Sequence, residues 1–123
     1  MRKISSNQQP FIFIRHEGRC LKINFKDIHY IEARKNYCKF ATTSGNYLAL
    51  VTLKRIEAVL PFQGFCRIHR AFIVSLDWIE SFDQQRVYGP DQMLPIGETY
   101  RKTFASRFVL VSNERKAMFQ AVH

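Results

Sequence analysis

No apolar run in this chain is long enough to cross a bilayer as a helix. The longest, residues 47–51, has five members, against the roughly 20 that a spanning helix needs. The opening residues, Met-Arg-Lys-Ile-Ser-Ser-Asn-Gln-Gln-Pro, hold no apolar h-region, so no signal peptide is expected and a cytoplasmic location is. Cysteine is scarce. Cys20, Cys38 and Cys66 form an odd set with no CxxC pair, which argues against a disulfide scaffold and for reduced thiols. Repeats and low-complexity segments are missing, and so are a Gly-rich phosphate loop and a Walker-type lysine. Acids are few: 10 Asp and Glu stand against 19 Lys and Arg.

What remains is enough for one domain with its own core. The chain has 123 residues, 46% of them hydrophobic, a size that folds without metal or disulfides. Eleven aromatics are Phe, which has no polar handle and belongs mainly in a core. The net charge of +9 favours a polyanion as partner, nucleic acid before an anionic membrane.

Strand signals recur at short intervals. Residues 11–16 are rich in strand formers, Gly18 marks a turn, and residues 20–24 alternate apolar with polar. Residues 28–32 and 37–43 read as two more strands, with a short helical turn at 25–27. A turn at Ser44, Gly45 and Asn46 leads into 47–51 as a hairpin. Residues 71–74 are a strand continued irregularly through 78–82, and 86–88 pair with 93–96 around Gly89 and Pro90. Helical period appears twice. At 52–60, Leu53, Ile56 and Leu60 share a face, with Thr52 to cap and Pro61 to stop. At 98–110, Tyr100, Phe104 and Phe108 stand four apart behind Gly97, and Glu98 suits the positive helix end. The expectation is a mainly β domain of about ten short strands and two short helices over residues 11–111. A lead-in at 1–10 and a tail or extension at 112–123 flank it.

Charge is segregated along the chain. From residue 33 to 76 a single acid, Glu57, faces Arg34, Lys35, Lys39, Lys54, Arg55, Arg67 and Arg70. From 77 to 98 five acids face Arg86 alone, and from 99 onward Arg101, Lys102, Arg107, Arg115 and Lys116 face Glu114. Segregation of this kind predicts one basic face and raises nucleic acid above a merely soluble basic protein. Arg34, Lys35 and Asn36 separate two strands, and residues 65–70 are expected as a loop between the first helix and the next strand. Loops on a rigid sheet reach into grooves, where Arg and Asn read guanine and adenine edges.

Four ordered segments then resemble the LytTR domain. They are Tyr-Ile-Glu-Ala-Arg-Lys-Asn-Tyr at 30–37, Thr-Leu-Lys-Arg-Ile-Glu at 52–57 with Leu60 and Pro61, Phe-Cys-Arg-Ile-His-Arg-Ala-Phe-Ile-Val at 65–74, and Leu-Pro-Ile-Gly-Glu-Thr-Tyr-Arg at 94–101. The resemblance runs from about 11 to 111. It implies an elongated, mostly β fold whose loops enter successive major grooves of bent double-stranded DNA. It further implies a bacterial transcription regulator, commonly the output half of a two-component response regulator, binding paired direct repeats as a homodimer. By position, Lys35, Asn36 and Tyr37 with neighbouring Arg34 match the first contacting loop. His69 and Arg70 match the second, with Arg67 beside them for phosphate. Residues 98–102 match the third, where Thr99, Arg101 and Lys102 are the candidates. Ala71 stands where the family usually has Ser, Ser75 where it often has Asn, and Glu98 where a basic or polar reader is usual. A receiver domain or histidine kinase partner, also implied, is absent from this chain, which is then either a free-standing regulator or a piece of a longer one.

Other chemistries are weaker. His16 with Cys20 and Cys66 with His69 could offer four zinc ligands, but neither spacing is a finger, and cysteines buried in a β core are the simpler expectation. Cys66 and His69 lack an orienting carboxylate for a catalytic triad. Asp77, Glu80 and Asp83 read as a solvated face, and Trp78 as core or interface. No cofactor and no enzyme activity are expected. Two alternatives stay open: RNA binding by an exposed aromatic sheet, and a protein-interaction module with an exposed apolar patch.

Overall fold

Period-two alternation in the middle of the chain sends neighbouring side chains into different cores, and this organises the molecule. The computed structural model describes residues 9–112. Residues 1–8 of the expected lead-in and 113–123 of the expected tail lie outside them. The strands are β1 (Phe11–His16), β2 (Arg19–Asn24), β3 (Ile28–Ala33), β4 (Cys38–Thr42), β5 (Gly45–Ala49), β6 (Phe65–His69), β7 (Phe72–Ser75), β8 (Ser81–Phe82), β9 (Arg86–Tyr88) and β10 (Met93–Pro95). The helices are α1 (Leu53–Val59) and α2 (Arg101–Ala105), with single 3-10 turns at Phe25–Asp27, Leu76–Trp78 and Glu98–Tyr100.

A five-stranded antiparallel sheet, in the order β5-β4-β3-β7-β6, forms the middle layer. Along its strands Ile31, Phe40 and Ile73 enter one core, while their successors or neighbours Tyr30, Ala41 and Val74 enter the other. The first core is closed by Ile14 and Ile23 of the β1–β2 hairpin and by Leu53, Ile56 and Leu60 on or beside α1. The second is closed by Val87, Leu94, Ile96 and Trp78 around the β8–β9–β10 sheet and by Phe104 of α2. A sheet buried on both faces has little freedom to slip, because a one-residue shift would exchange every side chain between the cores. The β1–β2 connection has positive φ at both Glu17 (53°) and Gly18 (80°), the pair that a two-residue type I′ hairpin requires.

Four expectations are corrected. Residues 65–70 are not a loop: 65–69 form β6, with a register shift between Arg67 and His69. The helix expected over 98–110 is a 3-10 turn followed by α2, which ends at Ala105. Phe108 lies beyond it and still packs on Phe104 and Phe82, at 4.9 and 5.0 Å between ring centres. β-branched Val109 and Val111 disfavour further helix, and Arg107 is held over the Phe62 ring at 3.8 Å. The turn expected at 44–46 sits earlier, since Gly45 already pairs with Thr42. Thr42 shapes that turn by donating its hydroxyl to the Gly45 carbonyl at 2.8 Å and accepting from the Ser44 N–H at 3.1 Å. Cys38 and Cys66 are buried as expected, but Cys20 is exposed.

Candidate nucleic-acid interface

Antiparallel order places the β3–β4 and β6–β7 connections at the same end of the central sheet. The first, residues 34–37, is closed by the Arg34 N–H donating to the Tyr37 carbonyl at 2.7 Å. The second is only Arg70 and Ala71. The Ala33 N–H donates to the Ala71 carbonyl at 2.8 Å and ties the two connections side by side. A third segment joins them, because the Gly97 N–H donates to the Ile68 carbonyl at 2.7 Å. A Cβ on Gly97 would lie 3.1 Å from the Tyr100 ring and 3.6 Å from His69 Cα, so the approach suits glycine. The 3-10 turn Glu98–Tyr100 and α2 start directly after it.

Lys35, Asn36, Arg70, Thr99 and Lys102 are exposed on these segments, and Tyr37, His69 and Arg101 are half-buried. The acids between 77 and 98 make no ion pair with any of them among the described residues. Asp83 instead accepts from the Gln85 and Arg86 N–H groups and from the Tyr88 hydroxyl. These bonds, the Gln85 N–H first, hold its carboxyl below the ordinary Asp range.

Two of the expected contact residues are already engaged. Arg34 grips the Glu32 carboxylate, which also meets Lys39 at 3.4 Å; the Glu32 charge raises the Arg34 pKa further. Arg67 lies in β6 and spends its fork inside the protein. It donates through Nη1 to Glu57 at 2.9 Å, through Nε to the His69 carbonyl at 3.1 Å and through Nη2 to the Arg70 carbonyl at 2.7 Å. His69 Nδ1 accepts from the Ala71 N–H at 3.0 Å, so the neutral ring carries its proton on Nε2. Burial, then Arg70 and Arg67, lowers the His69 pKa below its ordinary value.

Sequence reading missed Glu57 and Gly97 as parts of this end. Glu57 had a signal, being the lone acid in a basic stretch. Gly97 stood in the 94–101 segment and ahead of the expected helix, but its bond to Ile68 had no signal, because that depends on which strand it meets. Ala71 acts here through its backbone N–H and carbonyl.

Elsewhere the chemistry is quiet. Among the described residues no three His, Cys, Asp or Glu side chains gather to hold a metal. Burial pushes the Cys38 and Cys66 thiols up, which keeps them protonated and poorly nucleophilic. A concavity of about 780 Å³ between β1, β5 and α1 is lined mainly by apolar side chains and shares only Tyr37 with the three segments. Both faces of the central sheet are covered, so the platform needed for stacking bases is not presented there. No described helix is long and apolar enough to cross a membrane.

Comparison with known proteins gives a family and a fold. The model of the LytTr DNA-binding domain matches residues 18–108. Among solved structures, the chain is similar to the LytTr DNA-binding domain described as that of a methyl-accepting/DNA response regulator from Bacillus cereus. The TM-score is 0.72 at 18% identity, over 80% of this chain and 96% of that one. No curated protein matches.

Proposed function

This chain belongs to the LytTr DNA-binding domain family, and from that premise we propose that it reads specific sequences in double-stranded DNA and regulates bacterial transcription from the cytoplasm without catalysing a reaction. Three segments enter successive major grooves. Lys35, Asn36 and Tyr37 come from the β3–β4 connection, His69 and Arg70 from the β6–β7 connection, and Thr99, Arg101 and Lys102 from the segment after Gly97. Arg70 is the leading base reader, since a guanidinium meets guanine O6 and N7 with two bonds. Arg34 keeps a charge toward phosphate while paired to Glu32. The site is a homodimer's on paired direct repeats, with a receiver domain or histidine kinase upstream.

One observation supports this reading above the others. Three basic segments far apart in sequence are joined by main-chain bonds at one end of a stiff sheet, Ala33 to Ala71 and Gly97 to Ile68, and among the described residues the acids of 77–98 form no ion pair with their cations. Selecting bound duplexes from a random pool tests it. Two copies of one motif about a helical turn apart are expected. Arg70→Ala should relax the preference at one base position and cost about 1–3 kcal/mol, whereas Lys54→Ala, on exposed α1, should leave the preference alone. An unenriched pool, or identical behaviour of the two variants, sinks the assignment.

A further inference from the structure

We propose that Glu57, acting through Arg67, is a positioning residue that holds the β6–β7 turn in its base-reading shape, so that an acid on a basic face strengthens specific DNA binding; this rests on the function proposed above. The turn has two residues, and its backbone is held on every side the contacts show. Arg67 grips the carbonyls of His69 and Arg70, the Ala71 N–H goes to His69 Nδ1, and the Ala71 carbonyl takes the Ala33 N–H. The exposed Arg70 side chain therefore rises from an immobilised base, which lowers the ordering cost of binding.

The grip depends on the direction of one planar fork. A guanidinium presents its N–H groups at fixed angles. With Nε and Nη2 committed to the two carbonyls, Nη1 points to the Glu57 carboxylate, whose side chain is 49% exposed on α1. An exposed ion pair alone contributes little to stability. Its value here is to keep the fork across the turn and off the phosphates. Simple electrostatics makes the opposite prediction, since deleting an acid beside a DNA site should tighten binding.

The test compares Glu57→Ala, Glu57→Gln, Arg67→Ala, Arg67→Lys and the double Glu57→Ala/Arg67→Ala on the selected duplex and on a scrambled one. Glu57→Ala should weaken the selected duplex about tenfold and leave the scrambled duplex unchanged or tighter. Glu57→Gln, which keeps an acceptor oxygen, should lose less. Arg67→Lys should lose as much as Arg67→Ala, because one ammonium cannot span two carbonyls and a carboxylate. Glu57→Ala should add no more than about twofold in the Arg67→Ala background, the mark of a shared interaction. Exchange of the Arg67 Nε–H and the Ala71 amide, followed by NMR, should be slow in the parent and faster in Glu57→Ala. Unchanged or tighter specific binding by Glu57→Ala, or additive losses in the double variant, overturns the proposal. Should the parent prefer no duplex, the DNA-reading function falls, and exchange alone judges the clamp: acceleration in Glu57→Ala upholds it and no change overturns it.

Discussion

His69 shows how one side chain joins turn geometry to pH. Its Nδ1 must be unprotonated to accept the Ala71 N–H, and its pKa is lowered by burial and by the neighbouring Arg70 and Arg67. The unfolded chain thus takes up this proton more readily than the folded one, so stability rises with pH across the gap between the two pKa values. The contribution is complete above the ordinary histidine value of about 6.5 and is lost as pH falls below it through the lowered folded value. Urea midpoints measured between pH 5 and 8, in the parent and in His69→Asn, whose Oδ1 can replace Nδ1 as acceptor, should differ in slope only at the acid end. Equal slopes in the two proteins would show that the ring does not titrate in this way. The residue type was legible in the sequence. Its tautomer was not, because that is set by the turn folding back on the ring.

At the scale of elements, short spans are held by contacts from outside themselves. α1 has the N-cap that its sequence announces: Thr52 accepts from the Arg55 N–H at 3.2 Å. Thr52→Ala should cost about 1 kcal/mol, read as a lower thermal midpoint. The β9–β10 hairpin depends on a closer fit. A Cβ on Gly89 would lie 2.1 Å from the buried Trp78 ring, which itself packs on Tyr30 at 5.4 Å. Gly89→Ala should therefore destabilise by about 1–3 kcal/mol, as overpacking does, and shift the emission of the single tryptophan; an unchanged midpoint would refute that packing. Most strand starts and ends were readable to a residue or two from alternation and turn residues, but β6 was not read as a strand, and β8 is shorter than the stretch expected for it. The second helix was misjudged in length. Its four-residue aromatic spacing is real, but Phe108 reaches Phe82 and Phe104 after the helix has stopped.

For the whole molecule, the ordering of charge matters more than its sum. The net charge of +9 would suit any polyanion, whereas a basic end carried by a covered sheet suits a duplex that brings its grooves to the protein. If roughly five phosphates are neutralised, the logarithm of affinity should fall with the logarithm of salt with a slope of about −4 to −5. Titration of the selected duplex at several salt concentrations measures it, and a slope near zero would remove the polyanion from the account. Single-stranded RNA at equal salt should compete poorly, because both faces of the central sheet are covered and offer its bases no stacking platform.

The sequence by itself determined the mainly β character, the capped first helix, the basic and acidic blocks and the segments that resemble a known family. These follow from local propensity, side-chain period and composition, all of which act over a few residues. Only the tertiary structure decided that residues 65–69 are a strand, that Arg67 pairs with Glu57, and that Gly97 brings the third segment against β6. Each of those outcomes is a contact between residues distant in the chain or a competition between partners for one fork of donors. Strand order and core closure resolve such competitions, and neither is encoded in any single stretch of sequence.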